Sequence, residues 1–167
     1  MDNTIALRPA AMTDAATLER IVLRSAITHL KGLLPASLLV TAVPIIARVP
    51  PDLLQAGQVI LAERDGQVVG AAGWSHQPPS GQGGARGVAH LRLVFVNPNA
   101  TRQGIASTLI DHVMADARQA GMNRMQVQAP RPLRPFFEAT GFSHSRDAVV
   151  SMPGGLDLPV SRLFRAL

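Results

Sequence analysis

The segment VFVNPNATRQGIASTLIDHVMADA, residues 94–117, has the pattern of an anion-binding turn. A strand pattern ends at Pro98, and a helical pattern begins after Gly104. The first four N–H groups of a helix lack partners inside it, and the helix dipole places about half a positive charge at that end. Gly104 lets backbone approach a ligand closely, and Ala106 and Ser107 keep the first turn uncrowded. The pattern therefore favours a phosphate-binding turn, with an ordinary strand-to-helix connection as the alternative.

This segment resembles the acyl-CoA-binding motif of the GNAT superfamily. That motif holds a pyrophosphate. Its pattern is Gln or Arg, two variable residues, Gly, one variable residue, and then Gly or Ala. The matching run here is TRQGIA, from Thr101 to Ala106. Four further segments resemble the superfamily in order and spacing: LRPAAMTDA, ILAERDGQVVGAAGW, PFFEATGF and GGLDLPVSRL. The resemblance covers nearly the whole chain and implies an N-acetyltransferase that moves an acetyl group from acetyl-CoA to a primary amine by direct attack.

The resemblance also implies which residues bind the cosubstrate acetyl-CoA. Backbone groups at the strand end, Val94, Phe95 and Val96, would face the pantetheine arm, and the N–H of Phe95 or Val96 would polarise the thioester carbonyl. Arg131 and Arg134 are candidates for the adenosine phosphates, with solvated surface arginines as the alternative. The pyrophosphate would be held by backbone N–H groups of Arg102, Gln103, Gly104, Ile105, Ala106 and Ser107.

Three positions depart from the superfamily pattern. Thr101 replaces the usual Gln or Arg, Pro130 stands where many members keep an Asn, and Phe137 stands where most keep a Tyr proposed to protonate the leaving thiolate. The chain contains no Tyr. A non-catalytic acyl-CoA-binding or sensing domain is therefore the alternative function. A thiol with a pKa of about 8.5 leaves with modest help, whereas a lysine-like amine must lose a proton at a cost of roughly 4–5 kcal/mol at pH 7. The general base consequently matters more than the general acid.

His90 is the candidate general base. It precedes Thr101 by eleven positions, where some protein-acetylating members carry a Glu on the same strand. A His suits proton transfer near neutral pH, and a structural histidine within a strand is the alternative. Weaker candidates that could act through a water are Glu63, His76 and His144.

Hydrophobic periodicity predicts the elements that position these residues. Asp65 and Gly66 between two apolar runs predict a hairpin, and Thr13 and Asp14 are capping candidates for the first helix. Gly121 should end the 104–120 helix in a left-handed conformation. We expect helices at residues 15–30, 37–48, 104–120 and 133–140, and strands at 4–8, 58–63, 68–75, 88–96, 124–129, 142–151 and 158–165.

These elements predict an α/β fold in a single GNAT-like domain over residues 1–167. Its sheet should be mixed and mostly antiparallel, with about seven strands, splayed beside the 88–96 strand, and with helices on both faces. Residues 75–87 should form a loop, because their glycines lack dinucleotide-loop spacing and precede a strand. The binding site for the acceptor should be shaped by that loop and by residues 25–55. The apolar stretch 33–47 favours a less polar acceptor.

The composition of the chain limits the classes of metal, ligand and partner that it is expected to bind. The chain has no Cys, and its histidines form no metal-ligand spacing, so we expect no metal. The net charge of +5 would suit an anionic ligand, but scattered arginines, one Trp and five Phe argue against nucleic acid. An acidic N-terminus without a following apolar run predicts a cytoplasmic location, and the longest uncharged stretch, 32–47, is too short to span a membrane. A small-molecule or peptide amine is the expected substrate partner, and a homodimer, common in this superfamily, is left open.

Overall fold

A computed structural model describes residues 4–81, 83–152 and 155–167 of the chain. The helices are α1 (Ala15–Leu30), α2 (Ala36–Ile46), α3 (Pro51–Gln55), α4 (Ile105–Gln119) and α5 (Arg134–Ala139). The strands are β1 (Ala6–Pro9), β2 (Val59–Arg64), β3 (Gln67–Ser75), β4 (Val88–Val96), β5 (Arg124–Pro130), β6 (Ser143–Met152) and β7 (Leu156–Ala166). Short 3₁₀ turns cover Met12–Asp14, Pro98–Ala100 and Arg131–Leu133.

The strands form one mixed sheet in the order β1-β2-β3-β4-β5-β7-β6. Every neighbouring pair is antiparallel except β4 and β5, which are parallel. The parallel pair is short, because Val88–His90 of β4 pair with Arg124–Gln126 of β5 and the strands part beyond that point. The predicted α/β fold, with a mostly antiparallel seven-strand splayed sheet, is confirmed.

A β-bulge in β4 accompanies this separation. Ala71 of β3 pairs with Phe95 and Gly73 pairs with Arg92, so one β3 residue faces both Leu93 and Val94. Leu93 has a φ of 54°, in the left-handed region that non-glycine residues seldom adopt. A bulge bends its strand and increases its twist. The end of β4 therefore turns away from β5 and leaves both strand edges available at the opening.

Helices cover both faces of the sheet, as expected. One face packs its buried residues, including Trp74, Leu91 and Met125, against α4. The other face packs Leu61 and Phe95 against α1 and α3. Helix α4 lies very close to β3 at Gly70. A Cβ added there would come within 3.0 Å of Leu109 Cδ1 and 3.1 Å of Ile105 Cγ2. This close packing holds the first turn of α4 beside the end of β4.

Several local predictions are confirmed. Helix α1 and strand β4 have the expected bounds, and the hairpin between β2 and β3 turns at Asp65 and Gly66, with φ values of 51° and 73°. Gly121 has a φ of 86° after α4, as a left-handed C-terminal glycine should.

One local prediction was wrong. Asp14 does not cap α1 with its side chain, because its carboxylate instead accepts hydrogen bonds from the Ala11 N–H, at 2.7 Å, and from Arg8. Helix α2 ends at Ile46, two residues before its predicted end and ahead of Pro50 and Pro51, and Pro51 begins the short helix α3, which was not predicted. Proline is tolerated there because the first N–H groups of a helix have no intrahelical partner.

Candidate active site

The loop before α4 forms a concave array of backbone N–H groups. Arg102 and Gly104 have φ values of 61° and 75°, and α4 begins at Ile105. Both the N–H and the Oγ1 of Thr108 bind the Gly104 carbonyl, each at 3.0 Å. Within the described residues, the N–H groups of 102–107 have no hydrogen-bond partner. Alternating left-handed and right-handed residues aim successive N–H groups at one point, which suits an anion.

The side chains of this loop are mostly turned to solvent. Arg102, Gln103, Gly104 and Ser107 are exposed, whereas Ile105 is buried against the sheet. Ile105 therefore anchors the turn while the neighbouring backbone remains open to a ligand. Thr101 stands in place of the usual Gln or Arg, and its hydroxyl donates to the Pro98 carbonyl at 3.2 Å, which leaves the backbone array intact.

Arg64, which sequence reasoning missed, lies beside this array. Its Nη1 donates to Gln103 Oε1 at 2.5 Å, and its buried Nε has no hydrogen-bond partner in the described part of the chain. The guanidinium brings positive charge to the loop from the end of β2. The hairpin signal at Asp65 and Gly66 located Arg64 at a strand end, but no local pattern indicates a neighbour 39 residues away.

Arg131 and Arg134 follow β5, and each faces an acid of the protein. Arg134 Nε lies 2.8 Å from Glu138 Oε1, and Arg131 Nε lies 3.8 Å from Asp147 Oδ2. Hydrogen bonds from Ser161 and His144 lower the pKa of Asp147, so this carboxylate is charged beside Arg131. Both arginine side chains are 41–48% exposed, so both guanidinium groups reach solvent.

The backbone of β4 offers polar groups at the splay. The Asn97 N–H donates to Val69 O at 2.7 Å, towards β3. Because alternate residues of a regular strand direct their N–H groups to opposite sides, Phe95 also faces β3 and Val96 faces the opening, while Val94 lies in the bulge. The Val96 carbonyl accepts a 3.1 Å hydrogen bond from the buried Ser25 hydroxyl of α1. Helix α1 is thereby tied to the splayed end of β4.

His90 lies where the two strands part. It is the last β4 residue paired with β5, it is 4% exposed, and its Nε2 has no hydrogen-bond partner among the residues that the structure describes. Burial and, to a smaller extent, the positive charge of Arg92 lower the pKa of His90. The imidazole is therefore neutral at pH 7 and has a nitrogen free to accept a proton.

His90 lines a cavity of about 180 Å³ on the sheet face opposite α4. The sheet contributes Gln126 and Gln128 of β5 and Arg162 of β7, and the loop before β4 contributes Pro78, Ser80, Gly83 and Ala85. Sequence reasoning missed both glutamines and Arg162, because strand register alone brings them beside His90. A larger groove of about 450 Å³ lies between α1 and the end of α2, and its lining includes no residue of β4, β5 or α4.

The weaker base candidates are engaged elsewhere. Glu63 lies 2.8 Å from an Arg8 nitrogen, and His144 Nε2 lies 2.9 Å from Asp147 Oδ1. The His76 ring packs edge-on against Trp74, with centroids 4.8 Å apart. None of these three side chains lines the His90 cavity.

Phe137 occupies the position of the missing Tyr and lies in the core. It is 5% exposed and packs edge-on against Phe136 and Phe142, with centroid separations of 5.0 and 5.9 Å. This apolar ring can neither donate nor accept a proton.

A family model described as the acetyltransferase (GNAT) family matches residues 41–142, more than half of the chain. The chain belongs to the GNAT acetyltransferase family. This acetyltransferase uses acetyl-CoA as its cosubstrate, as is typical of the family. Among curated proteins, none matches this chain.

Solved structures share the fold at low sequence identity. A GCN5-related N-acetyltransferase from Rhodopseudomonas palustris is 24% identical, with a TM-score of 0.77 over 99% of this chain and 97% of that one. PaiA N-acetyltransferase from Thermoplasma acidophilum, in complex with coenzyme A, is 15% identical, with a TM-score of 0.71 over 98% of this chain and 99% of that one. YncA, a putative acetyltransferase from Salmonella typhimurium with acetyl-CoA, is 19% identical, with a TM-score of 0.69 over 99% of this chain and 95% of that one.

Two further observations concern the described residues. Their His, Asp and Glu side chains form no group of three that could hold a metal ion. No helix among them combines the length and apolar character needed to cross a bilayer.

Proposed function

We propose that this acetyltransferase acetylates a primary amine by direct attack on acetyl-CoA, with His90 as the general base. The observation that carries the proposal is the position of His90, which lines a cavity at the point where β4 and β5 part and whose buried Nε2 has no hydrogen-bond partner among the described residues. We further propose that residues 1–167 form one acetyltransferase domain, since three similar structures are each covered over 95% or more of their length.

The anion-binding loop would hold the pyrophosphate of acetyl-CoA through the backbone N–H groups of 102–107, with added charge from Arg64 and Arg102. The free edge of β4 would hold the pantetheine arm through Val94 and Val96. Of the two N–H groups considered for polarising the thioester carbonyl, Val96 is the better candidate, because Phe95 is directed at β3. Arg131 and Arg134 remain candidates for the adenosine phosphates, provided that they exchange their carboxylate partners for phosphate oxygens.

The reaction requires one proton to leave the acceptor nitrogen. The neutral amine nitrogen forms a bond to the thioester carbonyl carbon as its lone pair attacks, and the C–S bond breaks. His90 Nε2 takes the proton from nitrogen, and the leaving thiolate takes a proton from solvent to give free CoA. The products are the N-acetylated amine and CoA thiol. Phe137 cannot supply the second proton, but a thiolate with a pKa of about 8.5 needs little help at neutral pH.

The proposal is tested by measuring thiol release from acetyl-CoA over a panel of small-molecule and peptide amines. His90→Gln should lower kcat/KM by about 10²–10⁴-fold, the usual contribution of a placed base, without changing the affinity for CoA. His112→Gln is the matched control, because His112 is an exposed histidine on α4, away from the cavity.

Two results would contradict the proposal. If His90→Gln keeps kcat/KM within threefold of the unsubstituted enzyme, the base lies elsewhere. If acetyl-CoA binds but no amine releases thiol, the chain is a non-catalytic acyl-CoA-binding domain.

A further inference from the structure

The sheet face that carries His90 also carries arginines from the two outer strands. Gln128 of β5 pairs with Arg162 of β7, and Arg162 pairs with Arg146 of β6. Directly paired residues of neighbouring strands project on the same face. The row Gln128–Arg162–Arg146 therefore lies beside the row His90–Gln126, displaced by two residues along β5. This displacement corresponds to about 6.6 Å along the strand.

These arginines lack acidic partners. Among the described residues, neither Arg162 nor Arg146 forms an ion pair, and the buried Nε of Arg162 has no hydrogen-bond partner. Like charges directly opposite each other on two strands destabilise the pair. A half-buried guanidinium with an unused donor, next to a second guanidinium, is a position that an anion would stabilise.

A third guanidinium lies on the other side of His90. Arg92 Nη1 donates to Ser75 Oγ at 3.2 Å, and Ser75 is the cross-strand partner of His90. Burial lowers the pKa of Arg92, and Asp52 of α3 is the acid whose charge opposes that shift. The cavity lining contains no Asp or Glu among the described residues. His90 thus shares its cavity with Arg162, which has no ion-pair partner among the described residues, and lies near Arg92, whose charge Asp52 partly offsets.

We propose that the acceptor amine carries a carboxylate, which Arg162 binds while the amine lies against His90. This inference rests on the proposed function and specifies its substrate class: a small free amino acid. The guanidinium fork matches a carboxylate in shape and charge, and the Gln126 and Gln128 amides supply further donors. A cavity of about 180 Å³ accommodates a small molecule. The apolar stretch 33–47, expected to favour a less polar acceptor, contributes no residue to this lining.

The test compares each free amino acid with its carboxamide, and each kcat/KM is referred to the concentration of neutral amine, because amidation also lowers the pKa of the neighbouring amine. Thiol release is measured for free L-amino acids with small, apolar and polar side chains, and for the carboxamide of each. The unsubstituted enzyme should give a kcat/KM for the free acid about tenfold to a hundredfold above that of its amide, since a hydrogen bond to a charged group contributes on that scale. Arg162→Gln should remove this preference by raising KM for the acid, while the amide is turned over as before.

Arg118→Gln is the control, because it removes one exposed positive charge from α4, on the opposite side of the sheet. CoA affinity and thermal unfolding of each variant establish that the fold is retained. If Arg162→Gln does not fold, the acid and amide pairs still decide the matter in the unsubstituted enzyme. Equal turnover of acids and amides would overturn the inference and leave the amine acetyltransferase standing. Thiol release with no amine at all would overturn both.

Discussion

Replacing Ala106 by proline removes one backbone donor from the anion-binding loop. Ala106 is the second residue of α4, and its N–H has no partner among the described residues. Proline is tolerated in the first turn of a helix for that reason. The chain already contains such a residue, Pro135, at the second position of α5. The substitution should therefore leave α4 in place and change the free energy of unfolding by no more than about 1 kcal/mol.

The effect on cosubstrate binding should be much larger. If the Ala106 N–H donates to a pyrophosphate oxygen, its loss forfeits one hydrogen bond to a charged group, about 1.5–3 kcal/mol. Since 1.4 kcal/mol corresponds to a factor of ten, the Kd for CoA should rise by about 12-fold to 150-fold. Calorimetric titration with CoA measures this change directly and needs no acceptor.

Ala16→Pro is the matched control. Ala16 is likewise the second residue of an α-helix, α1, and it lies outside the loop. This variant should bind CoA as tightly as the unsubstituted chain does. If Ala106→Pro also binds CoA with unchanged affinity while remaining folded, the N–H array of 102–107 does not hold the pyrophosphate in the way proposed.

Two other measurements follow from the same geometry. Once kcat/KM is referred to the concentration of neutral amine, its acid limb should have a midpoint below the ordinary histidine pKa of 6.5, because burial lowers the pKa of His90. This limb should vanish in His90→Gln with the same amine, and an unchanged limb would exclude His90 as the titrating base. The lowered pKa of His90 also predicts how stability depends on pH. Between that pKa and 6.5 the unfolded chain binds more protons than the folded chain does, so the free energy of unfolding should fall as the pH drops below 6.5. The fall should be smaller in His90→Gln. Trp74→Phe should lower the free energy of unfolding by at least about 1.5–3 kcal/mol, since it removes the 2.7 Å hydrogen bond from Nε1 to Asp116. Urea unfolding measures this change. A loss below roughly 0.5 kcal/mol, the scatter expected for neutral surface substitutions, would contradict the prediction.

The turn before α4, with its unpaired N–H groups, could be predicted from sequence because its determinants are local. A strand end, a glycine and a helix with small first residues lie within residues 94–107, and the free N–H groups follow from helix geometry itself. The hairpin at Asp65 and Gly66 and the end of α4 at Gly121 were predictable for the same reason. In each case the backbone conformation is set by the residue that adopts it.

The bulge in β4 was not predictable in this way. Leu93 takes a positive φ that its side chain disfavours, so its own identity argues against the conformation that it adopts. Tertiary packing imposes the bulge, because Leu93 and Phe95 pack with α1 and α3 whereas Val94 and Val96 pack on the α4 side. The opening between β4 and β5 depends on that distortion.

The sequence by itself thus determined the type of fold, the loop that would hold the cosubstrate and the candidate base, His90. Only the tertiary structure decided what surrounds that base. Arg162 lies 72 residues after His90, and strand register across β5 brings the two side chains to one cavity. Register depends on the pairing of whole strands, whose partners are far apart in the chain, so no local pattern encodes it.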